Sequence, residues 1–415
     1  MHRALALVDD GASRGEIWRR FSESLAGQPA ERTGPVRLRG AELALELGDA
    51  DVALDWAQAA GSVEPRSRAA FVLGRASLAR GDLVTALAAL ERAVALCGDD
   101  LQAQAEVWVQ IGEVHYAKGQ LDAAAAMAVQ ALDVASTSAI RLAAKNLRGK
   151  LLLASGDWSA ADAHFAADAC EAVGAGDLTA ELRARVNRAI ALLSSGASDA
   201  AREMLTRVLG DAEARGERRA VGFALSNLAV LAIERHDYAH ALELLERTIG
   251  AHRRLGDRLN FARDVSNLVE LRLRLGLVEQ AEQVLRFGRH ALGPGAPGSR
   301  AAELALAAAR VLLCRGRTPE AEREVRSALR WASMSSDGDK LGEGHRLAAR
   351  IALEDGAVRV VEAEVERARE LAKIPYDYVE VALIAAMALR ASGSSVRVAS
   401  DAAVAAAREA GDEEL

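Results

Sequence analysis

The chain has 415 residues, 51% of them hydrophobic and 27% charged, with only 7 prolines, so it can bury a sizeable core and is too apolar for general disorder. Its formal charge of −7 and pI near 5.8 offer no general attraction to nucleic acid or to anionic membrane. Aromatic residues make up 4% and alanine abounds, which suits helices in close contact and serves a sheet poorly; the expected fold class is all-α.

Cys97, Cys170 and Cys314 are far apart and odd in number, and they are expected as buried reduced thiols outside any disulfide or metal site. No apolar run approaches the roughly 20 residues needed to cross a bilayer. The N-terminal MHRALALVDDGAS carries acidic residues where a signal peptide needs a longer apolar core, so the cytoplasm is the expected compartment.

Residues 1–35 are expected to form a helical cap or a flexible segment, with EIWRRFSESL around Trp18 and Phe21 as an amphipathic helix. Residues 36–292 then repeat. The inter-helix turn recurs at Gly48-Asp49, Gly81-Asp82, Gly119-Gln120, Gly156-Asp157, Gly196-Ala197, His236-Asp237, Gly276-Leu277, Gly316-Arg317 and Gly356-Ala357, with a weaker tenth at Gly393-Ser394. Successive spacings are 33, 38, 37, then 40 five times, then 37. Residues 293–300, which include Gly293-Pro294-Gly295-Ala296-Pro297-Gly298, stop any helix. Because the marker spacing across them stays at 40, they read as a rigid loop between repeats. The polar loop Ser333 to Asp339 respects the spacing too, the repeats continue over residues 301–410, and residues 411–415 form a frayed acidic tail.

Five residues after each of the first eight markers stands an alanine: Ala53, Ala86, Ala124, Ala161, Ala201, Ala241, Ala281 and Ala321. One turn later a larger apolar residue usually follows, as at Leu90, Phe165, Leu205, Leu245, Leu285, Val325 and Val365. The small residue admits the paired helix closely and the large one fills the space beside it. A lone hairpin cannot bury such a stripe, so neighbouring hairpins must stack.

In VWVQIGEVHYAKGQLDAAAAMAVQAL, Trp108, Ile111, Gly112, His115, Gly119, Leu121, Ala124, Ala128 and Ala131 fall where the tetratricopeptide repeat (TPR) pattern places its residues. Leu73-Gly74, Gly81, Leu83, Ala86, Leu90 and Ala93 do so in the unit before, and Asn227-Leu228, Tyr238, Ala241 and Leu245 in a later one. The chain therefore resembles the TPR family. The resemblance implies a right-handed superhelical solenoid of about nine or ten TPR-like helical hairpins. Its 40-residue spacing exceeds the family's usual length and is similar to the repeat regions of bacterial signalling proteins, such as ATP-dependent transcription activators and quorum-responsive regulators.

Solenoids of this kind bind partners on the surface lined by the first helix of each unit. Asn187, Asn227 and Asn267 lie at one place in three consecutive units, two residues before Ala189, Ala229 and Val269, and Gln110 holds that place before Gly112. The fourth unit breaks the row with Leu147, and Asn146 stands one residue off. A side-chain amide offers a donor and an acceptor, which an extended peptide backbone can use whatever its side chains. The row is similar to the asparagine ladders of O-GlcNAc transferase and kinesin light chains. The alternative is that the amides bond only to neighbouring helices or water. Arg183 and Arg263 are candidates for holding partner carboxylates, amid Arg185, Arg188, Arg272 and Arg274. The paired lysines and asparagines that chaperone-tail-binding TPRs use are missing from the early units, which excludes that partner class.

Signals for catalysis are weak. Gly11-Ala12-Ser13-Arg14-Gly15 spells a nucleophile-elbow string but lacks the strand-to-helix context that gives it meaning. His236 and His240 are four apart, yet His236 takes a turn position, so no metal is expected. His115 reads as a packed residue, and His164 and His345 have no nucleophile to serve. No phosphate-binding or dinucleotide loop is present and no cofactor is expected. Arg323, Arg326 and Arg330 alternate with Glu320, Glu322 and Glu324, a salt-bridged wet face with few aromatics for base stacking.

The expected function is a non-enzymatic adaptor or regulatory scaffold that binds a protein or extended peptide in the groove of a solenoid. Two alternatives stay open: a sensory module that binds a small signal or signalling peptide and controls an effector, and a structural oligomerisation protein.

Overall fold

A computed structural model describes residues 11–25, 28, 30–47, 49–61, 67–255, 258–292, 298–335, 337–372, 375–393 and, singly, 397, 401, 404 and 405. The centre of the Pro/Gly stretch, residues 293–297, and the acidic tail lie outside them, as do Gly48 and Ser394 of the first and last turn markers. Among the described residues there are 20 helices and no strand.

The helices pair into hairpins. In chain order they are α1 (Gly11–Ser24), α2 (Ala30–Glu46), α3 (Ala50–Gly61), α4 (Ser67–Arg80), α5 (Leu83–Leu96), α6 (Leu101–Ala117), α7 (Leu121–Val134), α8 (Ser138–Ala154), α9 (Trp158–Ala175) and α10 (Leu178–Ser194). There follow α11 (Ser198–Arg215), α12 (Arg218–Glu234), α13 (Tyr238–Leu255), α14 (Arg258–Arg274), α15 (Val278–Leu292), α16 (Gly298–Cys314), α17 (Thr318–Met334), α18 (Gly338–Glu354), α19 (Val358–Leu371) and α20 (Pro375–Ala391). From α2 to α19 these make nine hairpins, with even-numbered helices first and odd-numbered second, and α20 is a tenth first helix. The architecture is the TPR-like helical repeat that the spacing predicts.

The turn markers work by backbone geometry. Gly81, Gly119, Gly156, Gly196, Gly276, Gly316, Gly356 and Gly393 all have φ between 68° and 92°, where a side chain is strained and glycine is not. After the turn an aspartate commonly caps the next helix: Asp82 accepts from the Thr85 backbone N–H at 3.1 Å and Asp157 from that of Ala160 at 3.0 Å.

The small-then-large stripe is the packed seam. Ala86, Ala161, Ala201 and Ala241 are fully buried, as are the partners Leu90, Phe165, Leu205 and Leu245 one turn on. The facing position on the first helix must be small in return. A Cβ on Gly74 would lie 2.5 Å from Leu90 Cγ, and one on Gly149 would lie 2.4 Å from Phe165 Cε1. Burial of this seam is the main favourable term in each hairpin.

The chain divides into two compact units, Met1–Asp264 and Val265–Leu415, and α14 runs through the division. In the first, α1 lies on the opening hairpin. Trp18 is buried, its ring stands edge-on to Trp56 at 5.2 Å, its Nε1–H donates to Asp49 at 2.7 Å, and Trp56 Nε1–H donates to Ser22 at 3.0 Å. The core of this end gathers Trp18, Trp56, Phe71, Leu90 and Ile111. The second unit has its own clusters, one around Leu306, Val325 and Leu347 and one around Val361, Val365 and Val381.

The cysteines correct one expectation. All are free thiols, but Cys97 is half-buried and Cys170 and Cys314 are exposed, because they fall on helix faces turned away from the seam.

Candidate functional site

In the first unit, positions six before, two before and one after the tight residue of each first helix share a face, since the steps between them are four and three. They are Arg68, Val72 and Arg75 on α4; Glu106, Gln110 and Glu113 on α6; and Ala143, Leu147 and Lys150 on α8. Next come Arg183, Asn187 and Ile190 on α10, then Phe223, Asn227 and Val230 on α12. Most are half-buried, which is the exposure of a surface looking into a groove rather than into a core or open solvent. Arg75 lies on α4 and Arg219 on α12, four hairpins further on, and like charge from Arg219 adds to the burial that lowers the Arg75 guanidinium.

The amides are placed as follows. Asn187 Nδ2 donates to Asn146 Oδ1 at 2.8 Å, which fills the break that Leu147 leaves in the row with the residue next to it. Asn227 Nδ2 donates to the Phe223 carbonyl one turn earlier at 2.8 Å. Among the described residues, each of these two amides keeps its oxygen and a second N–H without a protein partner. Gln110 is half-buried and its side chain makes no hydrogen bond within the described residues. Asn267, also half-buried, stands on the part of α14 that belongs to the second unit.

The charged residues around the row divide into two groups. Arg185 is held by Asp211 at 2.7 Å and Glu181 at 3.3 Å, Arg188 by Asp162 at 2.7 Å, and Arg274 by Glu270 at 2.6 Å. Arg272 donates to the Gln280 carbonyl at 3.1 Å. Arg185, Arg188 and Arg272 thereby tie neighbouring helices, while the partner of Arg274 lies on its own helix. Arg183 and Arg263 make no ion pair among the described residues, Arg183 half-buried and Arg263 exposed. The Nε of Arg183 is inaccessible to solvent and has no hydrogen-bond partner. Burial pushes its guanidinium below the ordinary value, against the pull of Glu113, Asp177 and Asp168. Burial also raises the Asp168 carboxyl above the usual range, despite His164 and Lys145.

The carboxylates of this face are already occupied. Glu106 holds Arg68 at 2.8 Å, and Glu113 is in direct contact with Lys150, whose ammonium also sits 4.1 Å from the Tyr116 ring centre. Arg75 was missed by sequence reasoning, although its position one residue after Gly74 is the register of Glu113 and Lys150 and would have placed it on this face.

The other side chains weighed for chemistry are engaged structurally. His115 bonds Gln120 at 2.7 Å across the turn, His164 bonds the Lys145 carbonyl at 2.8 Å, and His345 bonds Glu364 at 2.6 Å. His236 sits in the turn at φ 60° and bonds the Tyr238 hydroxyl at 2.8 Å. Among the described residues no group of three His, Cys, Asp or Glu could hold a metal ion. The Gly11–Gly15 string lies at the start of a helix, without the strand that a nucleophile elbow needs. A buried trio that sequence reasoning missed is Asp264, which accepts from Ser226 at 3.1 Å and pairs with His252 at 2.5 Å. All three are closed off from solvent, and the carboxylate stands between hydroxyl and imidazole, so the serine has no base.

No protein-family profile and no characterised protein matches the chain by sequence. Solved structures do match by fold. The Rap protein complexed with competence and sporulation factor is 14% identical, with a TM-score of 0.51 over 88% of this chain and 97% of that one. The Rap conjugation gene regulator of plasmid pLS20, in complex with the Phr* peptide, is 13% identical, with a TM-score of 0.51 over 77% of this chain and 95% of that one. A tetratricopeptide repeat protein from Parabacteroides merdae is 15% identical at a TM-score of 0.41, over 67% of this chain and 98% of that one. The chain is a TPR-like helical-repeat protein, and no helix among its described residues is long and apolar enough to cross a membrane.

Proposed function

We propose that this protein is a non-enzymatic regulatory module that binds a protein or peptide segment along the first-helix face of its hairpins. The observation that carries this is the row of side-chain amides at one register, Gln110, Asn187 and Asn227, with unused donors and acceptors on a half-buried face. An extended segment laid across the row would gain main-chain hydrogen bonds without side-chain selectivity, and the side chains flanking the row would supply the specificity. Asn267 continues the register on α14, and Arg183 and Arg263 are the candidates for partner carboxylates.

The two Rap structures similar in fold were solved with a factor or a peptide bound, which favours a signalling segment as occupant. Such a module would work in the cytoplasm, controlling an effector as its hold on the segment changes. The test is quantitative capture from the native host. Replacing Asn187 and Asn227 together with alanine should leave the circular-dichroism spectrum intact and deplete the captured partner. Undiminished capture by that variant would reject the amide row as the binding element.

A further inference from the structure

The first-helix face of the first unit has a charge imbalance. At these registers on α4, α6, α8, α10 and α12 its carboxylates are Glu106 and Glu113, paired with Arg68 and Lys150, and Glu234, exposed at the end of α12. Arg75, Arg183 and Arg219 make no ion pair or hydrogen bond among the described residues. The surplus on this face is therefore cationic, although the chain as a whole carries −7.

Arg75 and Arg183 are half-buried, and Arg75 is also held in place. Phe71 is buried, and its ring lies 5.6 Å from Arg75 Cζ and 4.9 Å from Arg68 Cζ, so Arg75 is steered by a cation–π contact. Burial disfavours the charged form of Arg75, and like charge from Arg219 and Arg68 adds to this while Glu106 opposes it. Guanidinium stays protonated at any pH a folded protein meets, so the unfavourable field persists until an anion arrives. A cation that is partly desolvated and has no counter-ion is poised to gain from a carboxylate, because the cost of burial is already met in the free protein.

We propose that this face receives a carboxylate-rich peptide segment, whose carboxylates are taken by Arg75, Arg183 and Arg219. The inference rests on the peptide-binding reading above and specifies the chemistry of the peptide. A basic or neutral segment would leave the imbalance in place.

The test uses the full chain and fluorescein-labelled polyglutamate, polylysine and glycine–serine peptides of equal length, followed by fluorescence anisotropy at low and moderate salt. Polyglutamate alone should bind, and more weakly as salt rises. Arg75→Gln, Arg183→Gln and Arg219→Gln should each weaken it roughly tenfold, and Arg75→Lys less than Arg75→Gln. Arg219 is exposed, so its variant keeps the test readable even where the others impair folding. Polyglutamate that fails to bind at low salt, or binds all three glutamine variants as tightly as the parent, overturns the proposal. Selection from a random peptide library separates the two readings. Neutral or basic peptides that depend on Asn187 and Asn227 would overturn the charge inference and leave peptide binding standing, whereas no selected peptide at all would overturn both.

Discussion

Asn187 on α10 donates its side-chain amide to the oxygen of Asn146 on α8 at 2.8 Å, which makes one amide of the row a tie between hairpins as well as a candidate contact. Asn146 is only 8% exposed, so its oxygen has little access to water if the donor goes. Asn146→Ala should cost about 1–2 kcal/mol in a urea melt, and Asn187→Ala about the same. A double variant close to either single one would show that the two side chains act as a pair. Full additivity would show that they do not.

The hairpin seam makes a sharper demand at Gly149. A methyl there would stand 2.4 and 2.5 Å from two carbons of the fully buried Phe165 ring and 2.9 Å from His164 Cδ2. Alanine normally favours a helix over glycine by about 1 kcal/mol. The clash outweighs this, and Gly149→Ala should lower the melting temperature, with a net loss of about 1–3 kcal/mol.

His236 occupies a turn slot that glycine fills in most of the other hairpins, at φ 60°. The left-handed conformation costs a residue with a Cβ about 1–2 kcal/mol, offset here in part by the bond to Tyr238 and by the greater freedom glycine has when unfolded. His236→Gly should therefore stabilise the protein slightly, by about 0.5 kcal/mol, read as a higher urea midpoint at unchanged slope.

Acid should act on the second unit through Glu343. It lies 2.9 Å from Lys340 and in direct contact with Arg310, and Lys340 also reaches Glu303 at 2.5 Å. Burial by itself would raise Glu343, but the two cations hold its carboxyl down at about 2, against an ordinary 4.5. Because the folded value is the lower one, this stability is fully present above pH 4.5 and is lost as the pH falls towards 2. The shift corresponds to about 3 kcal/mol. Glu343→Gln should melt lower at neutral pH and show a flatter stability profile in that acid window, measured by thermal denaturation across pH.

Much of the fold was legible because the repeat is written in local terms. Glycine marks a turn wherever φ must be positive, as at Gly119 and Gly156, and the alanine five residues on marks a close approach, as at Ala161 against α8. The register of Gln110, Asn187 and Asn227 was legible for the same reason. Legibility failed where a property depends on which side chain meets which. Cys170 and Cys314 were expected to be buried, yet the faces they occupy are turned outward. Arg185 and Arg183 stand two residues apart in one sequence context, and only the positions of Asp211 and Glu181 show that the first is paired while the second is not.

The sequence by itself therefore determined the secondary structure, the hairpin period and the residues that form the seam, since all three follow from helical periodicity and local backbone sterics. Tertiary structure alone decided which charges are neutralised, that Asn146 closes the break in the amide row, and that the Nε of Arg183 is buried without a partner. Those outcomes depend on through-space distances that accumulate from the small rotation between successive hairpins, and no single repeat contains them.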